Sequence, residues 1–331
     1  MFKKSLDVLA IGDLATDAFI RLEKADVHCK VNTSDCEICM PFGDKIPFEY
    51  VKVVKAVGNA ANAAVASARL GLKAALVTHI GDDQNGKDSL VELHKNNVST
   101  SYVTIQKGKP TNYHFVLWYD IDRTILVHHT DYEYAFPKIA EPKWIYLTSL
   151  SSTTFPYHMA IADYLDAHPG VRLAFQPGTF QIKLGLEELK RIYQHTDVFI
   201  VNLEEAQRIL GSNSRDVKAL LKGLANQGPK LVLITDAAKG AYMFDGDHYY
   251  FMPIYPDPKP PFERTGCGDA FASTFMAALC MGKSPLEALV WAPVNPMSVA
   301  QFIGSQEGLL TEQQIEWWLK RAPADYRPKE I

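Results

Sequence analysis

Apolar runs of strand length recur along the chain: LDVLAIG (6–12), KAALVTHIG (73–81), WIYLTS (144–149), VRLAF (171–175), DVFIVN (197–202) and KLVLIT (230–235). They are nearly continuous rather than alternating, the pattern of strands buried on both faces. Between them lie stretches with apolar residues at helical spacing. These are NAANAAVASARLG (59–71), FPYHMAIADYLDAH (155–168), LEELKRIYQH (186–195), LEEAQRILG (203–211), RDVKALLKGLANQG (215–228), DAFASTFMAALCMG (269–282) and SPLEALVWAPVNPMSVAQFIG (284–304). Gly71 and Gly282 stand where helices stop. Buried strands alternating with amphipathic helices predict an α/β fold, a doubly wound, mostly parallel sheet with helices on both faces. Sites in such sheets lie beyond the carboxyl ends of the strands.

Two regions break this rhythm. Residues 17–55 and 110–130 carry alternating patterns, such as NYHFVLWYD and RTILVHH, with no helix between them. They predict antiparallel pairs in a small β lid. The main domain then comprises residues 1–16, 56–109 and 131–331. The segment PIYPDPKPPFE (253–263) must be extended, because its prolines block both helix and ladder bonds.

Composition narrows the function. A chain of 331 residues suits one large domain with a small appendage. Its formal charge of -4 gives no footprint for nucleic acid or a membrane surface. No apolar run approaches the roughly 18–20 residues of a membrane span, and the first residues enter a strand pattern directly, so the expected location is cytoplasmic. Five cysteines argue against a disulfide framework. Cys29, Cys36 and Cys39 read as reduced thiols in a loop, with a zinc site alongside His28 as the other reading.

The chemistry concentrates in ERTGCGDAFAST (263–274). Gly266 and Gly268 permit a tight turn at a helix mouth, where unpaired amides and the helix dipole suit an anion. Asp269, in the first helical turn, can take a proton from a hydroxyl attacking phosphorus. Taken alone, the same residues describe a glycine turn with an N-capping aspartate.

TGCGDAF resembles the C-terminal signature of the ribokinase-like (PfkB-type) carbohydrate kinases, DTxGAGDxF. VGNAANAAVASARLG (57–71), NLEE (202–205) and TDAAKGAYMFDG (235–246) resemble three further motifs of that family, in the family's order, so the likeness covers roughly residues 6 to 310. The resemblance implies an ATP-dependent sugar kinase that uses Mg²⁺. Asp269 would be the general base, and the amides of Gly266, Cys267 and Gly268 the anion hole. Asp17, Gly58, Asn59 and Asn62 would bind the acceptor. Asn202, Thr235, Asp236, Lys239, Gly240, Arg264 and Asn295 would face the nucleotide, and Glu205 the metal. The bland readings stay open beside these: N-caps for Asn59 and NLEE, a hairpin turn for 235–240, a polar surface position for Asn295. Lids of this family often pair between subunits, which allows a homodimer through the lid.

The chain also departs from the pattern. Glu263-Arg264 replaces the usual Asp-Thr, whose acid helps fix a monovalent cation in many relatives; Arg264 could supply positive charge there instead. Val57 replaces the first glycine of GGxxxN, and Gln176-Pro177-Gly178 replaces DxN. A nucleoside kinase is the near alternative, with Phe115, Trp118 and Tyr119 available to stack on a base. A non-catalytic sugar or nucleotide sensor is the more distant one.

Overall fold

The computed structural model describes residues 6–29, 36–120 and 122–331. Ten strands form the large sheet. In spatial order they are Lys329–Glu330, Tyr249–Met252, Ala241–Phe244, Leu231–Thr235, Thr196–Asn202, Arg172–Phe175, Pro142–Leu147, Leu6–Ile11, Ala74–Gly81 and Ser99–Gln106. The seven strands from Leu231–Thr235 onward pair in parallel, and the first three extend that edge antiparallel. Alternation across the central strand feeds two cores. Val8 and Ala10 join one with the helices Asn59–Arg69 and Cys267–Cys280, while Leu9 and Ile11 join another with the helix Phe155–Ala167.

The chain runs from Leu6–Ile11 outward through Ala74–Gly81 to Ser99–Gln106, then returns to pair Pro142–Leu147 on the other side of its first strand. The switch point therefore lies beside residues 12–17, which follow that strand. The Ala-rich helix Asn59–Arg69 packs on Cys267–Cys280, itself rich in alanine; small side chains let the two backbones approach and bring their N-termini together.

Two predicted helices are broken. Residues 284–304 form Pro285–Trp291 and Val294–Val299, because Pro293 lacks the amide a continuous helix needs. Residues 186–195 divide between Thr179–Glu188 and Lys190–His195, with Gly185 at φ +88°.

A second sheet holds four strands in the order Phe48–Val57, Ala15–Leu22, Asn112–Tyr119, Asp122–His128. The outer pairings are antiparallel as expected, and a parallel pairing joins the two middle strands. Register divides its faces. Asp17, His114 and Val127 share one row, and Arg21, Trp118 and Arg123 another on the same face. Trp118 is buried on this side against Phe262. The opposite face carries the exposed Val51, Val53, Phe115 and Leu126.

The cysteine reading needs correcting. Asp26–Cys29 and Cys36–Cys39 form a hairpin that places Cys29 opposite Cys36, and these two are joined by a disulfide. Cys39 is a free thiol, and among the described residues no group of three or more His, Cys, Asp or Glu side chains could hold a metal ion. No helix among the described residues is long and apolar enough to cross a membrane.

Candidate active site

The proline-rich segment delivers the chain to Glu263, which is buried at 1% exposure. Its Oε1 accepts from the Thr265 amide at 2.5 Å and its Oε2 from the Gly304 amide at 3.2 Å, so one carboxylate clasps two backbone segments. Gly266 follows at φ +81°, where a Cβ would be strained and would run into Ser305. The helix Cys267–Cys280 starts from this turn.

The three expected anion-hole amides are not equivalent. The Cys267 amide donates to the Arg264 carbonyl at 3.3 Å, closing the turn. Among the described residues, the amides of Gly266 and Gly268 have no acceptor. The opening is therefore narrower than the sequence suggests. The Cys267 thiol, pushed up to about 12 by burial, stays neutral.

Asp269 is held from two directions. Asn62 donates to its Oδ2 at 2.7 Å, and Gln176 donates to its Oδ1 at 3.3 Å. Gln176 is itself fixed by the Tyr146 hydroxyl, which donates to its Oε1. The amide in place of a family carboxylate has a consequence: an acid at residue 176 could not donate to Asp269. Burial raises the Asp269 pKa, the bonds from Asn62 and Gln176 and the charge of Arg123 pull it back, and Asp17 pushes it up. Asn62 was expected to meet the acceptor, but its carbonyl is taken by Ser305 at 2.7 Å and Gln306 at 3.0 Å. It acts here as a bracket for the acid.

A cavity of ≈ 420 Å³ opens beside this turn. Asn202, Thr235, Asp236, Gly240, Arg264, Cys267 and Gly268 all line it, together with Arg123. Three expected contacts lie elsewhere. Lys239 is paired with Asp236 at 3.2 Å and does not line the cavity. Asn295, read either as a nucleotide contact or as a surface position, is fully buried; it donates to Thr274 and accepts from the Leu310 amide. Its neighbours Pro296 and Met297 line the cavity instead. Glu205 accepts from the Asn202 amide at 2.9 Å while Asn202 accepts from the Glu205 amide at 2.8 Å, a reciprocal cap on Leu203–Leu210. That cap uses one Glu205 oxygen; the other remains available for a hydrated hard cation. Burial raises the Glu205 pKa, and the charge of Asp269 adds to it.

The region around Asp17 gathers residues the sequence reading missed. Gly58, at φ +106°, caps Asn59–Arg69 and presses against the Asp13 carbonyl, where a Cβ would lie 2.7 Å away. Asn59 is thus the first helical residue rather than the cap, and its side chain makes no hydrogen bond among the described residues. Asp17 Oδ1 meets His114 Nδ1 at 3.1 Å. Asp13 accepts from the Tyr134 hydroxyl at 2.7 Å and lies 3.8 Å from His129. A signal for Asp13 was present, since an acid directly after a buried strand sits where such sheets bind ligands. His114 was legible only through its register with Asp17. Of the aromatic residues Phe115, Trp118 and Tyr119, Trp118 is buried against Phe262 and Phe115 lies on the exposed face of the sheet.

Comparison with known proteins identifies the family. The model of the "pfkB family carbohydrate kinase" matches residues 52–301. The nucleoside kinase of Methanothermobacter thermautotrophicus is 25% identical over 92% of this chain and 91% of its own length. The 2-dehydro-3-deoxygluconokinase of Thermoproteus tenax is 24% identical over 83% and 89%. The ribokinase of Arabidopsis thaliana, solved with ribose and ATP, superposes with a TM-score of 0.76 at 19% identity, covering 96% of this chain and 99% of its own. The chain belongs to the pfkB family of carbohydrate kinases, phosphotransferases whose acceptor is an alcohol.

Proposed function

We propose that this protein transfers the γ-phosphoryl group of ATP to a hydroxymethyl group of an uncharged sugar. Asp269 takes the hydroxyl proton, the freed oxygen attacks the γ-phosphorus, and the bond to the bridging oxygen breaks to release ADP. The amides of Gly266 and Gly268 receive the charge that develops on the migrating group. Asn202, Thr235, Asp236, Gly240 and Arg264 hold the nucleotide in the cavity they line. Mg²⁺, the second cofactor in this reading, would neutralise phosphate charge, with Glu205 and Asn202 as its nearest oxygen groups. The small sheet serves as a lid, and its exposed apolar face suits a second copy of the chain.

The observation that carries this reading is the position of Asp269. It is held by Asn62 and Gln176 at a helix mouth whose glycine amides have no acceptor among the described residues, close enough to Asp17 to feel its charge, and its neighbour Gly268 lines the cavity. An intact acid and glycine turn speak against a sensor. The likeness to a nucleoside kinase over 92% of the chain keeps a nucleoside as the second acceptor class. ATP consumption should be measured across sugars and nucleosides, with and without Mg²⁺, for the wild type and Asp269→Asn. The acceptor found should lose about 10²–10⁴-fold in kcat in the variant. A variant that keeps the full rate removes Asp269 from the mechanism.

A further inference from the structure

Residues 304–307 lie between the small sheet and the turn before Asp269. A Cβ on Gly304 would sit 3.2 Å from the Val54 side chain and 3.7 Å from Phe19, both in the small sheet. On the other side the Gly304 amide donates to Glu263, and Ser305 packs against Gly266. Gln306, 5% exposed, makes two hydrogen bonds with one nitrogen. Its Nε2 donates to the Ala56 carbonyl at 2.8 Å and to Asn62 Oδ1 at 3.0 Å. Asn62 Nδ2 in turn donates to Asp269 Oδ2 at 2.7 Å. A buried line of hydrogen bonds thus runs from a small-sheet strand to the acid at the helix mouth.

The far end of that line is under strain. Ala56 has φ +55°, the left-handed region that a residue with a Cβ seldom adopts, and it is 1% exposed. It lies at a slip in register: Ala15 faces Val57 while Asp17 faces Val54, so the strand Phe48–Val57 carries one extra residue here. At this bulge the chain leaves the small sheet, and Gly58 then opens the helix that holds Asn62.

Resting on the proposed phosphoryl transfer, we infer that Gln306 is a positioning residue that transmits the placement of the small sheet to Asp269 through Asn62.

Donor and acceptor counts carry the argument. Turning the Gln306 amide over would set its oxygen against two oxygens. Turning Asn62 over would set its NH₂ against the donors of Ser305 and Gln306, and its carbonyl against a carboxylate. Both amides are therefore locked in one orientation. Gln306 Nε2 has no third proton, and both lone pairs of Asn62 Oδ1 are engaged. A shift of the Ala56 carbonyl is passed along this line instead of being absorbed, so the base is aligned only while the sheet keeps its place. A glutamine that merely capped the strained carbonyl would have no need of its second bond, to the group that orients the acid. Ser305 still holds Asn62 when Gln306 is lost, so the bracket on Asp269 weakens without vanishing.

Gln306→Met keeps the length and removes both donors. Its kcat should fall about tenfold with the KM for ATP unchanged. Added to Asn62→Ala, it should cost nothing further, because Gln306 acts through Asn62; losses that multiply would overturn the relay. Lys52→Met breaks the exposed 2.5 Å pair that joins the same sheet to Glu307, and it should leave kcat unchanged. An equal loss there would show that any loosening of the sheet slows the reaction, and the relay would fall. A second measurement, amide hydrogen exchange, needs no turnover. Asp269→Ala should speed exchange at residues 54–57 about tenfold in the wild-type background and leave it unchanged in the Gln306→Met background. Unaltered exchange in Asp269→Ala overturns the inference. If Gln306→Met does not fold, Gln306→Asn, one methylene too short to reach both acceptors, takes its place. The kinase reading is judged separately. Absence of ATP turnover with every sugar and nucleoside sinks that reading and leaves the exchange measurement to decide the relay. Turnover with multiplying losses sinks the relay alone.

Discussion

Asn62 donates a 2.7 Å hydrogen bond to Asp269 across 207 residues of sequence, and its own carbonyl is fixed by Ser305 and Gln306. The acid is thus oriented by a helix other than its own, which makes the packing of Asn59–Arg69 on Cys267–Cys280 part of the proposed catalytic geometry.

Replacing Asn62 with Ala should lower kcat by about 10–100-fold through misplacement of the base. The bond from Asn62 opposes the rise that burial imposes on the Asp269 pKa, so losing it raises that pKa further. The base is then protonated at higher pH, and the acid limb of the kcat profile moves up. A pH–rate profile reads this directly; a lower rate with an unmoved limb would make Asn62 a packing residue only.

The fold was legible because buried strands declare themselves as continuous apolar runs, and Leu6–Ile11 or Thr196–Asn202 could hardly be read otherwise. Short or edge strands such as Tyr249–Met252, rich in tyrosine and paired with a two-residue tail strand, carry no such signal. The turn at 266–269 was legible because glycine and acid spacing is local. Arg123, His114 and His129 were not, since each reaches the site through register or chain reversal rather than through neighbours in sequence, whereas Asp13 carried the local signal of an acid directly after a buried strand. Asn295 misled for the same reason: its polar side chain is spent on Thr274 and Leu310, contacts that no local pattern reveals.

The clasp at Glu263 tests whether the anion hole depends on its flanks. Glu263→Gln keeps the size but leaves one of the two backbone amides facing an NH₂ group, at a cost of about 1–3 kcal/mol. Its melting temperature should fall, and kcat should fall with it because the Gly266 turn loses its anchor. Gly266→Ala should be worse, combining a positive φ with a clash at Ser305. Thermal melting and steady-state rates on the two variants check the order.

Arg123 and Arg264 both line the cavity proposed to hold the nucleotide, and of the two Arg123 is the one whose charge lowers the Asp269 pKa. Replacing either with Ala should raise the KM for ATP about tenfold while leaving the acceptor KM nearly unchanged. Arg123→Ala should in addition shift the acid limb of the rate profile upward, and Arg264→Ala should not. Equal pH profiles for the two variants would show that the lid arginine does not reach the base.

Asp13 couples the stability of the chain to pH. Burial lifts its pKa from 3.8 to about 7, against the opposing bond from Tyr134 and the charge of His114. The folded chain therefore holds a proton between about pH 4 and pH 7 that the unfolded chain has already released. Over that window stability falls as pH rises, because ionising a buried carboxylate opposes the folded state. Asp13→Asn removes the ionisation. The variant should melt close to the wild type at pH 4 and a few degrees above it at pH 8. Melting curves at the two pH values distinguish this buried, pH-dependent strain from a purely structural acid, whose loss would lower the melting temperature throughout.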